Sequence, residues 1–216
     1  MCATMRDAYF AQVLVFDRER AEKGTADEVY GGDMRLFVLA ADHLADALAR
    51  LTAAIEEKGL RLDRVNRSAP VAEFRPDDFE FPLDIEGMAD AALAQDRICA
   101  SHARSFRPRA ETSTTQQGIC AGLVDLRDLS ITDQGYLGHV AGVAAQGTVP
   151  EALDHMISDL SNRSVTLQSV EAFEDVASFD PAVFTFQPSL SALVERVRST
   201  GRPAYSASYR YGGVQS

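Results

Sequence analysis

The sequence predicts an α+β protein built as a tandem duplication of a β-β-α-β-α-β unit. The first observation is an echo between FRPDDFEF and FDPAVFTF, which begin at Phe74 and Phe179, 105 positions apart. The second is that apolar runs and helical stripes before and after the echo coincide under the same offset. Such internal periodicity indicates a repeated structural unit. Each copy should form a small sheet with two helices packed on one face, and a pseudo-twofold axis should relate the copies.

The matched positions include proline, aromatic and aliphatic pairs. They are Pro76 and Pro181, Phe79 and Phe184, Phe81 and Phe186, Leu62 and Leu167, and Val38 and Val143. In each copy, the two phenylalanine rings are expected to pack against a core after an extended turn.

The first copy spans residues 8–106. Its second strand is apolar nearly throughout, as expected for a strand covered on both faces. Its first helix should begin with Asp42 as N-cap and stop at Gly59, and its second should be capped by Asp84. A long, charged, Gly-rich loop separates the first two strands. The predicted elements are strands at 8–17 and 34–41, a helix at 42–59, a strand at 60–65, a helix at 84–97 and a strand at 98–106.

The second copy spans residues 118–211 and repeats this order after a polar linker at 107–117. Thr148 should cap its first helix, with Pro150 in the first turn, where a missing N–H does no harm. Ser189 should cap the second helix, which stops near Gly201. The predicted strands lie at 118–127, 136–145, 165–173 and 203–211.

Composition and net charge limit the classes of protein to which this chain can belong. The chain has 216 residues, 46% of them hydrophobic, and a formal net charge of −11. This acidity disfavours binding to nucleic acid or to anionic membranes, and it favours a basic partner. The apolar runs are shorter than the roughly 20 residues of a membrane span. Three cysteines with no CxxC predict reduced thiols in a cytoplasm, and no secretory signal peptide is expected.

No catalytic motif stands out, so the chain leans towards a non-enzyme, with no catalytic residue, metal or cofactor predicted. The histidines are scattered, whereas metal ligation needs three or four converging donors. The glycines of GYLGHVAG fall inside a predicted strand, which indicates close packing rather than a phosphate loop. Cys99 and Cys120 are expected to be buried and inert, and the carboxylate clusters to be solvated. The four histidines are His43, His102, His139 and His155.

The predicted binding residues lie in the C-terminal segment PAYSASYRYGG. Tyr205, Tyr209 and Tyr211 share one parity of the predicted strand, and Arg210 takes the other. Tyrosine and arginine are enriched at binding hot spots. As ordinary β-formers the tyrosines would instead close the second core, and that interpretation is favoured over an interface. The same segment could form an edge strand able to pair with another chain.

Three functions remain open from the sequence. The first is a non-enzymatic, cytoplasmic protein-binding module of bacterial type, such as an immunity-type inhibitor that covers a basic toxin or enzyme. The second is an enzyme or small-molecule-binding protein with a site in the cleft between the repeats. The third is a structural protein that self-associates through an edge strand. The first is the leading hypothesis.

Overall fold

The computed structural model describes residues 6–17, 19, 32–75, 84–106, 118–132 and 136–212. The chain divides into two compact units, Met1–Thr112 and Ser113–Ser216. This boundary falls in the segment predicted as a linker, which lies outside the described residues. Most of the predicted loop after the first strand and the positions of Pro76, Phe79 and Phe81 also lie outside them.

Unit 1 is an antiparallel sheet with two helices. Its elements are β1 Asp7–Asp17, β2 Gly32–Ala41, α1 Leu44–Glu57, β3 Leu60–Pro70, α2 Ile85–Gln95, β4 Cys99–Ala100 and β5 Arg104–Phe106. The strand order is β3-β1-β2-β4, and β5 also pairs with β2. Every one of these strand pairs is antiparallel.

Unit 2 has the same composition of elements. They are β6 Ile119–Asp128, β7 Tyr136–Gln146, α3 Val149–Asn162, β8 Val165–Asp175, α4 Leu190–Thr200, β9 Ala204–Tyr205 and β10 Tyr209–Gly212. Within the unit, the strand order is β8-β6-β7-β10, and β9 also pairs with β7. These pairs are antiparallel as well. The part of the chain that the structure describes is therefore α+β with four helices.

The two units follow one order of elements and one strand order. Most corresponding elements are separated by 105 positions, the offset of the sequence echo. This holds for the bounds of both pairs of helices, of β3 and β8, and of β4 and β9. The alignment of Val38 with Val143 is one residue out of register. In unit 1, Val38 pairs with Cys99. The residue 105 positions after Cys99 is Ala204, which pairs with Ala144, so Ala144 rather than Val143 corresponds to Val38.

Local chemistry explains where the first helix of each unit begins. His43 is the N-cap of α1, and its Nδ1 accepts a hydrogen bond from the Asp46 N–H at 3.0 Å. The prediction of Asp42 as N-cap is therefore wrong by one residue. In α3, Glu151 accepts a hydrogen bond from the Thr148 N–H at 2.8 Å, as in a capping box, and another from the Thr148 hydroxyl at 2.9 Å. These hydrogen bonds hold the pKa of Glu151 below its ordinary value.

The helices end in matching left-handed conformations. Asp96 ends α2 at φ +48°, and Gly201 ends α4 at φ +65°. After α1 and α3 the same conformation falls on Gly59 and Ser164, at φ +71° and +58°. Glycine adopts this conformation without steric cost, so the predicted stops at Gly59 and Gly201 are confirmed.

The two helices of unit 2 lie on opposite faces of its sheet, and the prediction that both pack on one face is wrong. Ala204 and Tyr205 are consecutive in β9, so their side chains point to opposite faces. Ala204 packs with Leu193 of α4. The Tyr205 ring centroid lies 5.3 Å from the guanidinium carbon of Arg163, which ends α3.

Unit 1 shows the same arrangement. Helix α2 packs against Leu36 and Val38 of β2, while α1 contacts β2 and β3. The intervening residues Phe37 and Leu39 are 5% and 1% exposed. Strand β2 is therefore covered on both faces, as its continuous apolar run predicts.

A serine interrupts the last strand of each unit. Ser101 accepts a hydrogen bond from the Leu36 N–H at 3.0 Å and donates its own N–H to the Leu36 carbonyl at 2.8 Å. Ser206 makes the same pair of bonds with Gly142, at 2.8 and 2.9 Å. Because the hydroxyl replaces a backbone carbonyl, each predicted closing strand is split, into β4 and β5 and into β9 and β10.

We expect Ser101→Ala and Ser206→Ala each to lower the free energy of unfolding by about 1–3 kcal/mol, because a partly buried N–H loses its acceptor. Urea unfolding monitored by circular dichroism measures this loss. Ser158→Ala, on the exposed face of α3, is the control and should change stability by less than about 0.5 kcal/mol. Two variants as stable as this control would contradict the assigned role of the serines.

Candidate functional site

The structure separates the four predicted binding residues into two groups. Tyr205, on β9, packs against α3, and its hydroxyl donates to the Met156 carbonyl at 3.5 Å. Burial raises the pKa of Tyr205 above its ordinary value. Tyr205 is therefore a packing residue, as the favoured core interpretation predicts.

Tyr209 and Tyr211 are not core residues. They are 62% and 39% exposed, so the favoured core interpretation is wrong for both. Each lies on β10, which within unit 2 pairs with β7 and ends the strand order. The Tyr209 ring lies 5.5 Å from the ring of Phe186 in the segment before α4. One side of the Tyr209 ring is thus supported and the rest faces solvent.

Two exposed leucines lie at the same end of the sheet. Leu137 is 49% exposed and belongs to β7, and Leu129, which follows β6, is 59% exposed. The strand pairing places Tyr209 and Tyr211 on one face of the sheet and Leu137 and Arg210 on the other, so the exposed side chains border the edge strand on both faces. We name the group of Leu129, Leu137, Tyr209, Arg210 and Tyr211 the tyrosine surface.

The end of Tyr211 is fixed by a polar bridge. Its hydroxyl donates to Asp125 Oδ2 of β6 and lies 3.2 Å from Gln168 Oε1 of β8. To reach them the side chain crosses β7 above Gly138. A Cβ at Gly138 would lie 2.6 Å from Gln168 Oε1 and 2.7 Å from the Tyr211 hydroxyl. Glycine is therefore required at this position for the bridge to form.

Asp125 is an unusual carboxylate. Its Oδ1 is buried and has no hydrogen-bond partner among the described residues. Burial raises the pKa of Asp125 above its ordinary value, and the hydrogen bond from Tyr211 opposes that shift. The bridge has more acceptors than donors, because Asp125 and Gln168 both present an oxygen to the Tyr211 hydroxyl, which carries one proton.

A second polar group lies beside the tyrosine surface. Arg210 pairs across the strands with His139. The Tyr136 hydroxyl accepts from the Asp128 N–H at 3.0 Å and lies 2.7 Å from His139 Nδ1. Desolvation lowers the pKa of His139, which favours the neutral ring, and an unprotonated Nδ1 can accept the Tyr136 proton. These contacts fix the start of β7.

Unit 1 lacks the Asp125 bridge. In unit 1, Leu14 pairs with Met34 and Arg64. In unit 2, Asp125 pairs with Val140 and Ser169, which follow Met34 and Arg64 by 106 and 105 positions. The strand pairing thus places an aliphatic side chain in unit 1 where unit 2 has the carboxylate.

Sequence reasoning missed Asp125, Gln168 and the two leucines of the tyrosine surface. One signal was available, because Asp125 interrupts the apolar run of β6 that begins at Ile119. The glycine prediction holds for Gly138, and for Gly142, where an added Cβ would meet the ring of Phe184. Gly135 lies outside the described residues.

The remaining predictions concern thiols and metals. Cys120 is buried, and burial raises the pKa of its thiol to about 12, so it is inert as predicted. Cys99 is only partly buried and lines an open groove of about 500 Å³ between α2 and β4, with Asp84, Met88 and Arg97. Within the described ranges, no group of three or more His, Cys, Asp or Glu side chains is placed to hold a metal ion. The described helices include none long and apolar enough to cross a membrane.

No protein-family model, curated protein sequence or solved structure matches this chain.

We expect Asp125→Asn to remove one pH-dependent contribution to stability. Because the pKa of Asp125 is raised in the folded protein, the folded state binds this proton more tightly than the unfolded chain does. Its contribution to the free energy of unfolding is therefore largest below the ordinary pKa of 3.8 and falls as the pH rises through the raised, folded pKa. Urea unfolding between about pH 4 and pH 7 measures it as the wild-type value minus the variant value.

Asp154→Asn, on the exposed face of α3, is the matched control for the loss of one carboxylate. The difference between wild type and Asp125→Asn should decrease with rising pH, relative to the same difference for the control. A difference that stays flat or increases would show that Asp125 is not the desolvated group described here.

Proposed function

We propose that this chain is a non-enzymatic protein-binding module. The observation that carries the proposal is the tyrosine surface, where two tyrosines, an arginine and two leucines are exposed on and beside an edge strand. Tyrosine supplies a large rigid contact area at low cost in conformational entropy, and with arginine it dominates binding hot spots. The bridge from Tyr211 to Asp125 holds one of these side chains in place before a partner arrives.

We propose a basic protein as the partner, of the kind that an immunity-type inhibitor covers. The net charge of −11 supports this choice, and its distribution is uneven. Helices α1, α2 and α3 carry eight acidic residues and one arginine. Opposite potentials steer a basic protein towards such faces and repel nucleic acid.

The scaffold is proposed to be a tandem duplication of residues 8–106 and 118–211, joined by 107–117. The shared strand order, the fixed offset of the helices and the matching serines, Ser101 and Ser206, support it. A chance likeness of two α+β units would not place the same side-chain hydrogen bond at the same interruption of the last strand. The pseudo-twofold relation between the units stays a prediction.

A bacterial cytoplasm is the proposed location, and the two described cysteines, Cys99 and Cys120, support it because both are free thiols. An enzyme or small-molecule site between the repeats remains the alternative from the sequence. Within the residues that the structure describes, no feature of either unit favours it over protein binding.

The test of this function is binding to the product of a neighbouring gene. We expect a basic protein encoded beside this chain to bind it, and the dissociation constant to rise steeply between low and physiological salt. Calorimetry at several salt concentrations measures both. Glu86→Gln and Asp90→Asn, on the exposed face of α2, should each weaken binding about two- to fivefold.

Arg196→Gln, exposed on α4, is the control, because removing a positive charge should not weaken binding to a basic partner. Lack of binding to any neighbouring gene product would refute the proposed partner. Salt-independent binding would refute the electrostatic basis of the proposal.

A further inference from the structure

The start of β7 extends beyond the ladder that joins β7 to β6. The last pair of that ladder is Leu126 with His139, whereas β10 pairs with β7 as far as Tyr136. The Tyr136 hydroxyl accepts a hydrogen bond from the Asp128 N–H at 3.0 Å, and this bond ties the extension to β6. The end of β10 near Gly212 therefore pairs with a segment that a tyrosine side chain anchors.

His139 completes the hydrogen bonding of Tyr136. The Tyr136 side chain is buried, so its hydroxyl needs an acceptor for its own proton. His139 Nδ1 lies 2.7 Å from that hydroxyl. The neutral ring can accept the proton at Nδ1, but a protonated ring carries hydrogen on both nitrogens and accepts none. Protonation of His139 would therefore deprive Tyr136 of this acceptor, which destabilises the anchor.

The charges around His139 also affect its protonation. Desolvation is the largest effect and lowers the pKa of His139, the charges of Asp125 and Asp128 on β6 oppose that shift, and Arg210 adds to it. Arg210 is the cross-strand neighbour of His139 on β10. A protonated His139 therefore places a second positive charge directly opposite Arg210, across the ladder that holds β10 to β7.

We propose that His139 is a pH-sensitive switch for the edge strand β10. The neutral ring holds the start of β7 through Tyr136, and the protonated ring loosens that start together with the part of β10 that pairs with it. The tyrosine surface is then ordered near neutral pH and loosened in acid. The switch acts on the strand itself, so it works whether or not a partner binds there.

Hydrogen exchange of the full chain, measured by NMR at about pH 7.5 and about pH 5 and corrected for the intrinsic effect of pH on amide exchange, tests the switch. We expect the β10 amides to open about three- to tenfold more at the lower pH, relative to the amides that join β6 and β8. In His139→Asn this increase should disappear, because the asparagine oxygen can accept from Tyr136 and does not titrate.

His102→Asn is the matched control. His102 is exposed between β4 and β5, so this variant should keep the wild-type response of β10. Tyr136→Phe is a second variant at the anchor. It removes the hydroxyl, so the β10 amides should open more already at about pH 7.5, and the response to pH should be smaller than in the wild type.

The free energy of unfolding provides an independent measurement of the same proton. Because the pKa of His139 is lowered in the folded protein, the unfolded chain binds this proton more tightly. The contribution of His139 to stability is therefore fully present above the ordinary pKa of 6.5 and is lost as the pH falls through the lowered, folded pKa. The wild-type value minus the His139→Asn value should increase with rising pH, relative to the same difference for His102→Asn. Asp125 is retained in all three proteins, so its opposite contribution cancels.

Two further groups are tested in the same way. Asp133, between β6 and β7, lies outside the described residues. Helix α3 packs on β7 and carries an ion pair of Asp159 with Arg163 at 3.0 Å. Asp133→Asn and Asp159→Asn should each keep the wild-type response of β10 to pH.

Three outcomes would overturn the switch. The first is equal opening of the β10 amides at the two pH values in the wild type. The second is a response that persists in His139→Asn, and the third is a response that Asp133→Asn or Asp159→Asn abolishes.

Discussion

Each sheet has apolar side chains on both of its faces, and the rest of the structure depends on covering the two faces at once. In β2, Leu36 and Val38 point one way and Phe37 and Leu39 the other, and all four are at most 5% exposed. One short amphipathic helix covers one face of a narrow sheet, so each unit needs two helices on opposite sides. The pairs α1 with α2 and α3 with α4 satisfy this requirement.

Helix α4 does not cover its face completely, and the tyrosine surface follows from that limit. Along the covered face of β7, Ala144 packs under α4 and Gly142 lies under the ring of Phe184. The next position, Val140, pairs with Tyr209, and the one after it is Gly138, over which Tyr211 reaches Asp125. The face of β7 is thus covered first by a helix, then by single aromatic rings and finally by an exposed polar bridge, so the proposed binding residues lie where the hydrophobic core ends.

Local signals were readable from the sequence, and long-range ones were not. The capping box at Thr148 and the stop at Gly201 are set by a few neighbouring residues. The mistake about the helix faces has a physical reason, because periodicity shows which side of a helix is buried but not which face of the sheet it covers. The apolar run at 34–41 contained the correct signal, since such a strand leaves one face exposed if both helices share the other. The contact of Tyr211 with Asp125 joins residues 86 positions apart and depends on the register of three strands, which no local pattern specifies.

Asp125 distinguishes unit 2, which has the tyrosine surface, from unit 1. A buried carboxylate oxygen without a hydrogen-bond partner destabilises a fold, and an aliphatic residue such as Leu14 at the matching position of unit 1 avoids that cost. Proteins accept such violations mainly where function needs them. Here the carboxylate fixes the Tyr211 hydroxyl, and Tyr211 fixes the end of β10. The local loss of stability therefore holds the Tyr211 side chain in one position, and at the proposed binding surface this lowers the entropy that binding has to overcome.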